Sequence, residues 1–239
     1  MPTNLQKLEN DGYYITEPIC DTALIGELKN LLSNLQADDN DAVRKKNGDI
    51  FGVRNVLSIS PVLWPMIKGS PIFKMAQELL GDNARIVRSI YFDKTINSNW
   101  KVPIHQDNSI AVTQKHEVEG FAPWSVKAGV PHTQPPEKIL DKMVTFRVHL
   151  DKATEDNGAL RVISGSHKHG KMKQDDIVKF RNQSEIDLCE VDEGAIMVMR
   201  PLLLHESSAG QSPSRRRVLH LELSADRLPT PLEWHENYS

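Results

Sequence analysis

The tripeptide His105-Gln106-Asp107 places two metal-ligating side chains two residues apart, and His205 supplies a third candidate far downstream. In an extended strand residues i and i+2 point to the same face, so His105 and Asp107 can reach one ion from a single short segment. Two histidines and one carboxylate on one face of a metal leave positions open for a co-substrate and dioxygen, the arrangement of non-haem Fe(II) oxygenases. Spacing alone is a weak discriminator. A second copy, His149-Leu150-Asp151, occurs in the same chain, and structural and surface histidines outnumber ligands.

The first copy stands out by its company. Ile104-His105-Gln106-Asp107 is followed in order by three further segments. They are Lys127-Ala128-Gly129-Val130-Pro131-His132, then Asn157-Gly158-Ala159-Leu160-Arg161-Val162 with Gly165-Ser166-His167, then Arg200-Pro201-Leu202-Leu203-Leu204-His205. This ordered set resembles the phytanoyl-CoA dioxygenase family of Fe(II)/2-oxoglutarate oxygenases, closely over residues 85 to 225 and loosely over the N-terminal third.

The resemblance implies that His105, Asp107 and His205 are the catalytic iron ligands. It also implies that Arg216, eleven residues past His205, holds the far carboxylate of 2-oxoglutarate, and that Ser207 adds a hydroxyl contact. Lys94 and Thr145 join them as cofactor-binding candidates. Fe(II), 2-oxoglutarate and O2 are then the cofactor and co-substrates, and succinate and CO2 accompany hydroxylation of a small organic molecule. Related halogenases lack the carboxylate ligand, so Asp107 argues for hydroxylation; desaturation or ring closure stays open. The chain departs from the family at Arg147, where many relatives carry an aromatic residue.

Alternation along the strands sorts the arginines independently of the resemblance. Arg217 shares its face with Leu219, Leu221 and Leu223, whereas Arg216 shares its face with Val218, His220 and Glu222. A bulge would exchange the two sets. From Met143 to Leu150, Val144, Phe146, Val148 and Leu150 form one face and Thr145, Arg147 and His149 the other. That polar face either meets water or lines a jelly-roll interior holding iron and an anion. Arg147, His149, Lys127, His132 and Trp124 are the substrate candidates, with Arg147 the reason to expect a carboxylate-bearing metabolite.

These side chains need a sheet to carry them. From Arg85 onward the periodicity is that of short β-branched runs, with turns at Asn97-Ser98-Asn99, Asp156-Asn157-Gly158 and Asp192-Glu193-Gly194. Upstream, Asp21 or Thr22 caps a helix with Leu24, Leu28, Leu31, Leu32 and Leu35 on one stripe, ending in the polar run Asp38 to Asp41. Ser60-Pro61 opens a short helix, and Ser70-Pro71 through Leu80-Gly81 predicts another with cap, proline and terminal glycine in place. The expected fold is mainly β (α+β): a double-stranded β-helix, or cupin-like jelly roll, with N-terminal helices packed on the sheet. One domain is expected over 1–239, with a helical part at about 1–84 and a jelly-roll core at about 85–225. The proline- and tryptophan-containing stretch 108–142 is expected to close over the substrate.

Composition narrows the partners. Of the 239 residues, 39% are hydrophobic and 26% charged, the balance of a globular protein, and a net charge of −3 gives no footprint for nucleic acid or anionic membrane. Three arginines opening an apolar strand are too few for a backbone-tracking patch. Cys20 and Cys189 cannot build a disulfide framework. No apolar run approaches a membrane span, so a cytoplasmic location is expected, with the oligomeric state open. Rival readings are the same chemistry on an acyl-CoA thioester, a metal-dependent cupin that does not use 2-oxoglutarate, and a catalytically silent small-molecule binder.

Overall fold

Arg85 opens the strand Arg85–Lys94, around which the protein's main sheet is laid. The structure is a computed structural model that describes residues 2–35, 42–46, 49–95, 98–211 and 215–239, without the side chains of 45, 46 and 49. The expected polar run Asp38 to Asp41 and Asn97 of the expected turn lie outside the described residues.

The strands are β1 (Tyr13–Ile15), β2 (Val43–Lys46), β3 (Asp49–Arg54), β4 (Arg85–Lys94), β5 (Val102–His105), β6 (Ile110–Ala111), β7 (Trp124–Lys127) and β8 (Val130–Thr133). They continue as β9 (Val144–His149), β10 (Leu160–Val162), β11 (Asp187–Cys189), β12 (Ile196–Met199), β13 (His205–Ser207) and β14 (Arg216–Ser224). The helices are α1 (Asn4–Asn10), α2 (Thr22–Ser33), α3 (Val56–Ile59), α4 (Leu63–Lys68), α5 (Pro71–Leu80), α6 (Glu137–Leu140) and α7 (Gln174–Gln183).

A major sheet runs β1-β12-β9-β14-β4-β3-β2, and a minor sheet runs β11-β10-β13-β5. A third sheet, β6-β8-β7, lies within the stretch 108–142. Pairing between these strands is antiparallel throughout. Side chains of the major and minor sheets line one cavity between them, so the fold is a jelly roll of two facing sheets, open and not a closed barrel. No helix among the described residues is long and apolar enough to cross a membrane.

Strand alternation decides what each face of the major sheet does. On its outer face Phe146, Val148, Leu219, Leu221 and Leu223 pack with Leu28 and Leu32 of α2, Ile67 of α4, and Ile72, Phe73 and Ala76 of α5. Each of these side chains larger than alanine, fully buried, contributes roughly 1.5–3 kcal/mol. This apolar layer anchors the sheet and leaves its opposite face free for polar groups. Thr145, Arg147 and His149 occupy that inner face and are buried, so the polar side of β9 does not meet water.

Two of the expected helices form where their caps stand, while the short one expected from Ser60-Pro61 begins at Leu63 without a side-chain cap. Asp21 Oδ1 accepts from Leu24 N at the start of α2. Ser70 Oγ accepts from Ile72 N before α5, and Gly81 beyond its end takes φ +80°. The N-terminal third is less purely helical than its sequence suggests: β1, β2 and β3 come from it and extend the major sheet at both edges. Their partners lie far along the chain, and local patterning does not report such pairing. Helices α1 and α7 were not foreseen; α7 buries only Ile177 and carries a weak apolar stripe.

Candidate active site

Strands β5 and β13 are neighbours in the minor sheet, and His105 and His205 are direct partners across them. Their rings lie 4.2 Å apart between centroids at 49°. His105 Nδ1 is 2.8 Å from the Pro103 carbonyl oxygen and His205 Nδ1 2.9 Å from that of Leu203. A carbonyl only accepts, so both Nδ1 atoms carry the proton and both Nε2 lone pairs are presented. Those Nε2 atoms stand 3.8 and 3.7 Å from Asp107 Oδ1 and Oδ2.

One donor atom from each of the three residues falls within 4.8 Å of the others, close enough for the three to converge on one ion. Asp107 Oδ2 is enclosed and has no hydrogen-bond partner. Burial alone would raise the Asp107 pKa, but His205, His220, His105 and Arg88 together hold the carboxyl below the usual range. Burial lowers His205 to about 4, keeping the imidazole neutral. An ionised carboxylate and two neutral imidazoles are the protonation states a divalent ion needs. The residues present fit iron.

Gln106 turns away from this group and was missed in the sequence. Its Nε2 donates to the carbonyl oxygens of Gly170 and Leu202, both at 2.8 Å, and its Oε1 accepts from Met172 N at 2.9 Å. Asp107 N donates to the Pro201 carbonyl at 2.9 Å. The segment carrying two of the donors is therefore tied to the loop that precedes His205. Its middle position in a His-x-Asp strand, which alternation turns away from the two donors, was the available signal.

The second His-x-Asp copy does not converge. Strand β9 ends at His149 and the chain bends at Leu150, which breaks the alternation. His149 faces the interior and neither ring nitrogen has a partner. Asp151 instead accepts from Arg217 N, Nε and Nη2 at 2.9, 2.7 and 2.7 Å, with Lys29 Nζ at 3.2 Å. Arg215 pairs with Asp93. Of the three arginines, Arg216 alone lines the cavity.

Arg216 is 5% exposed; its Nε donates to the Asn157 carbonyl at 3.3 Å and its Nη1 has no partner. The turn that holds it is tight: Gly158 takes φ +78°, and a Cβ there would meet the Ser208 carbonyl oxygen at 2.5 Å. Burial, reinforced by neighbouring Arg147, lowers Arg216 to about 9, which leaves it charged at neutral pH. Burial lowers Arg147 to about 10; its Nη1 donates to His220 Nδ1 at 3.1 Å and its Nε is unpaired. Lys94 Nζ donates to Ser208 O at 2.8 Å and lies 5.3 Å from the Trp100 ring. Burial, then Arg216 and Arg147, lowers Lys94 to about 7.

The cavity measures about 230 Å³ and includes His105, Asp107, His205, Ser207, Arg147 and Arg216 in its walls. Thr145 is buried on the same sheet face with its hydroxyl unpaired, but neither it, Lys94 nor His149 reaches the cavity wall. No residue of 108–142 lines it either. Trp124 packs into a separate apolar cluster with Phe121 and Leu140, and Lys127 donates to Ser109 Oγ at 3.1 Å. His132 is buried with Nδ1 against the Val130 carbonyl. The stretch expected to close over the substrate has its own small sheet and packs with Val87, Leu202, Leu232 and Trp234 in a cluster away from the cavity. Walls that sequence reasoning passed over include Arg54, Phe92, Trp100 and the Arg88 to Glu222 ion pair at 2.7 Å.

An open jelly roll whose facing sheets bring two histidines and one aspartate together beside a buried arginine has the architecture of the non-haem iron oxygenases. Residues 8–218 match the phytanoyl-CoA dioxygenase (PhyH) family, and the chain belongs to that family. The family consists of 2-oxoglutarate-dependent non-haem iron dioxygenases. Phytanoyl-CoA dioxygenase 1 of Oryza sativa subsp. japonica is 26% identical over 197 residues, covering 78% of this chain and 61% of that protein. The chain thus spans less than two thirds of that relative's length. EctD from S. alaskensis, solved with 2-oxoglutarate and 5-hydroxyectoine, superposes with a TM-score of 0.71 at 21% identity, covering 94% of this chain and 77% of that one. SnoK, a non-heme alpha ketoglutarate dependent carbocyclase from nogalamycin biosynthesis, superposes with a TM-score of 0.68 at 14% identity, covering 92% and 82%. These structural likenesses carry the fold.

Proposed function

We propose that this chain is an Fe(II)- and 2-oxoglutarate-dependent dioxygenase that hydroxylates a small, carboxylate-bearing metabolite with release of succinate and CO2. The observation that carries the reading is a pair of unmet needs in one cavity. Asp107 Oδ2 lacks a partner beside two presented imidazole nitrogens, and Arg216 Nη1 lacks one in the same interior. The first calls for a cation and the second for an anion.

In this reading His105, Asp107 and His205 hold the iron, and Arg216 with Ser207 holds the remote carboxylate of 2-oxoglutarate. Iron and 2-oxoglutarate supply, when bound, the oxidising chemistry. The chain's own contribution is orientation and charge. Carbonyls of Pro103 and Leu203 fix both imidazole tautomers. The Asp107 carboxyl, held below the usual range, stays ionised. Arg216 selects a co-substrate with a second acid group, since its planar fork matches a carboxylate. Lys94, the register partner of Arg216, supports that end, whereas Thr145, expected beside it, stands opposite Glu222 at the other end of the polar face. Arg147, in the cavity wall, adds positive charge that favours a carboxylate-bearing substrate, with His149, Lys127 and His132 behind that wall. A volume of about 230 Å³ is small beside the roughly 300–1,000 Å³ of pockets for drug-sized ligands. That size favours a compact metabolite over a whole acyl-CoA. We place the protein in the cytoplasm, in keeping with two buried, free cysteines.

The test is the visible charge-transfer band formed by adding Fe(II) and 2-oxoglutarate to the protein without oxygen. Wild type should show the band, His205→Ala should lose it and Arg216→Ala should weaken it. A folded wild type without the band would overturn the reading.

A further inference from the structure

The outer end of the cavity carries positive charge that neither the iron ligands nor the co-substrate uses. Strand β3 is an inserted arm of the major sheet, paired with β4 through Gly52 to Phe92, Val53 to Tyr91 and Arg54 to Ile90. Val53 is turned to the buried outer face, so Gly52 and Arg54 share the inner face with Ile90 and Phe92. Strand β2 pairs Arg44 with Gly52. Cross-strand partners share a face, which puts Arg44 and Arg54 around a glycine that has no side chain to separate them. Both line the cavity, as does Arg88 two residues before Ile90.

Arg88 is matched by Glu222 at 2.7 Å. Arg54 is half-buried and has no carboxylate partner among the described residues, and Arg44 has none either. Burial, then Arg44 and Arg88, lowers the Arg54 pKa, so its like-charged neighbours are close enough to be felt. Three guanidinium groups with one acid between them repel one another unless an anion enters. Beside them Phe51 and Trp100, 5.2 Å apart between centroids, and Phe92 form an apolar wall.

We infer that Arg54, assisted by Arg44, is the substrate's anion-recognition site, and that the substrate joins a compact apolar body to an acidic group at the end remote from the carbon attacked. The inference rests on the cavity being the substrate site, as proposed above. The apolar body lies against Trp100, Phe51 and Phe92. The acidic group, a carboxylate or a phosphate monoester, takes the two-toothed contact a guanidinium offers.

Calorimetric titration of the anaerobic protein with Fe(II) and 2-oxoglutarate tests this, using phenylacetate, phenyl phosphate and the neutral 2-phenylethanol as probes. At least one acid should bind about tenfold more tightly than the alcohol. Arg54→Gln should abolish that preference while the alcohol's affinity and the charge-transfer band stay as they are. Arg54→Lys should keep part of it, because the charge remains and the fork is lost. Preference for phenylacetate assigns a carboxylic acid and preference for phenyl phosphate a phosphate monoester; either supports the site. Equal binding of acids and alcohol overturns it, as does an acid preference that survives Arg54→Gln and disappears in Arg147→Leu. Should Arg54→Gln fail to fold, Arg44→Gln on the exposed strand carries the test: a loss of about threefold or more supports the site and no loss overturns it. A wild type without the charge-transfer band strikes the iron and 2-oxoglutarate reading instead, because the acid preference is measured separately.

Discussion

His105 and His205, a hundred positions apart in the chain, face each other as register partners across β5 and β13, each with Nδ1 committed to a backbone carbonyl and Nε2 turned towards Asp107. The candidate iron site is thus built on sheet pairing, and the register of the minor sheet sets its geometry. A slip of one residue in that pairing would turn one imidazole to the other face.

Gln106 should act as a positioning residue for that pairing. Its amide satisfies Gly170 O, Leu202 O and Met172 N. Gln106→Leu leaves buried backbone groups without partners, at about 1–3 kcal/mol. Urea unfolding should show that loss, and Fe(II) affinity should fall by about tenfold or more. Fe(II) affinity equal to wild type would show that the tie does not position the ligands.

Arg216 and Arg217 are adjacent and should fail in opposite ways. Arg216→Ala should raise the KM for 2-oxoglutarate by about tenfold to a hundredfold, the worth of a charge-assisted contact, with little change in melting temperature. Arg217→Ala removes two side-chain hydrogen bonds to Asp151 on the outer face, leaving the one from its backbone N, and should cost about 1–3 kcal/mol in unfolding, with KM near wild type. Equal effects of the two on KM would undo the assignment of faces.

Lys94 predicts a pH dependence. With a pKa lowered to about 7 by burial and by Arg216 and Arg147, it is charged below that value and neutral above. An anion favours the charged form, so 2-oxoglutarate affinity should decline as pH rises from 6 to 8. Lys94→Met should bind more weakly at pH 6 and show a flatter profile. An unchanged slope in Lys94→Met would remove Lys94 from the co-substrate site.

Acid should destabilise the metal-free protein before its carboxylates titrate. His132 and His205 have folded-state pKa values lowered from 6.5 to about 4, each chiefly by burial. Between those values the unfolded chain takes up protons that the folded chain does not, so stability is full above about 6.5 and is lost as pH falls towards 4. The urea midpoint should drop between pH 7 and 5, and His132→Gln should reduce that drop.

Much of this arrangement is written in short-range order. The i, i+2 spacing of His105 and Asp107, the polar face shared by Arg216 and His220, and the caps at Asp21 and Ser70 follow from strand and helix periods, which act over a few residues. Local order equally proposed His149 and Asp151 as a pair. The segments around the first copy ranked this one below it, and the bend at Leu150 and the pull of Arg217 on Asp151 separate the two side chains. Likewise the sequence put Trp124 and the stretch around it over the substrate, whereas packing with Phe121 and Leu140 draws it into a cluster away from the cavity.

By itself, then, the sequence determined which side chains share a face and where helices begin and end, because those depend on backbone periods and on groups within one turn. Tertiary structure decided that His205 meets His105, that the polar face of β9 is enclosed, that Gln106 ties two loops, and that β3 brings Arg54 to the cavity. Those outcomes depend on which distant strands pair, and pairing is settled by burial of whole faces, a sum over the molecule that no short window contains.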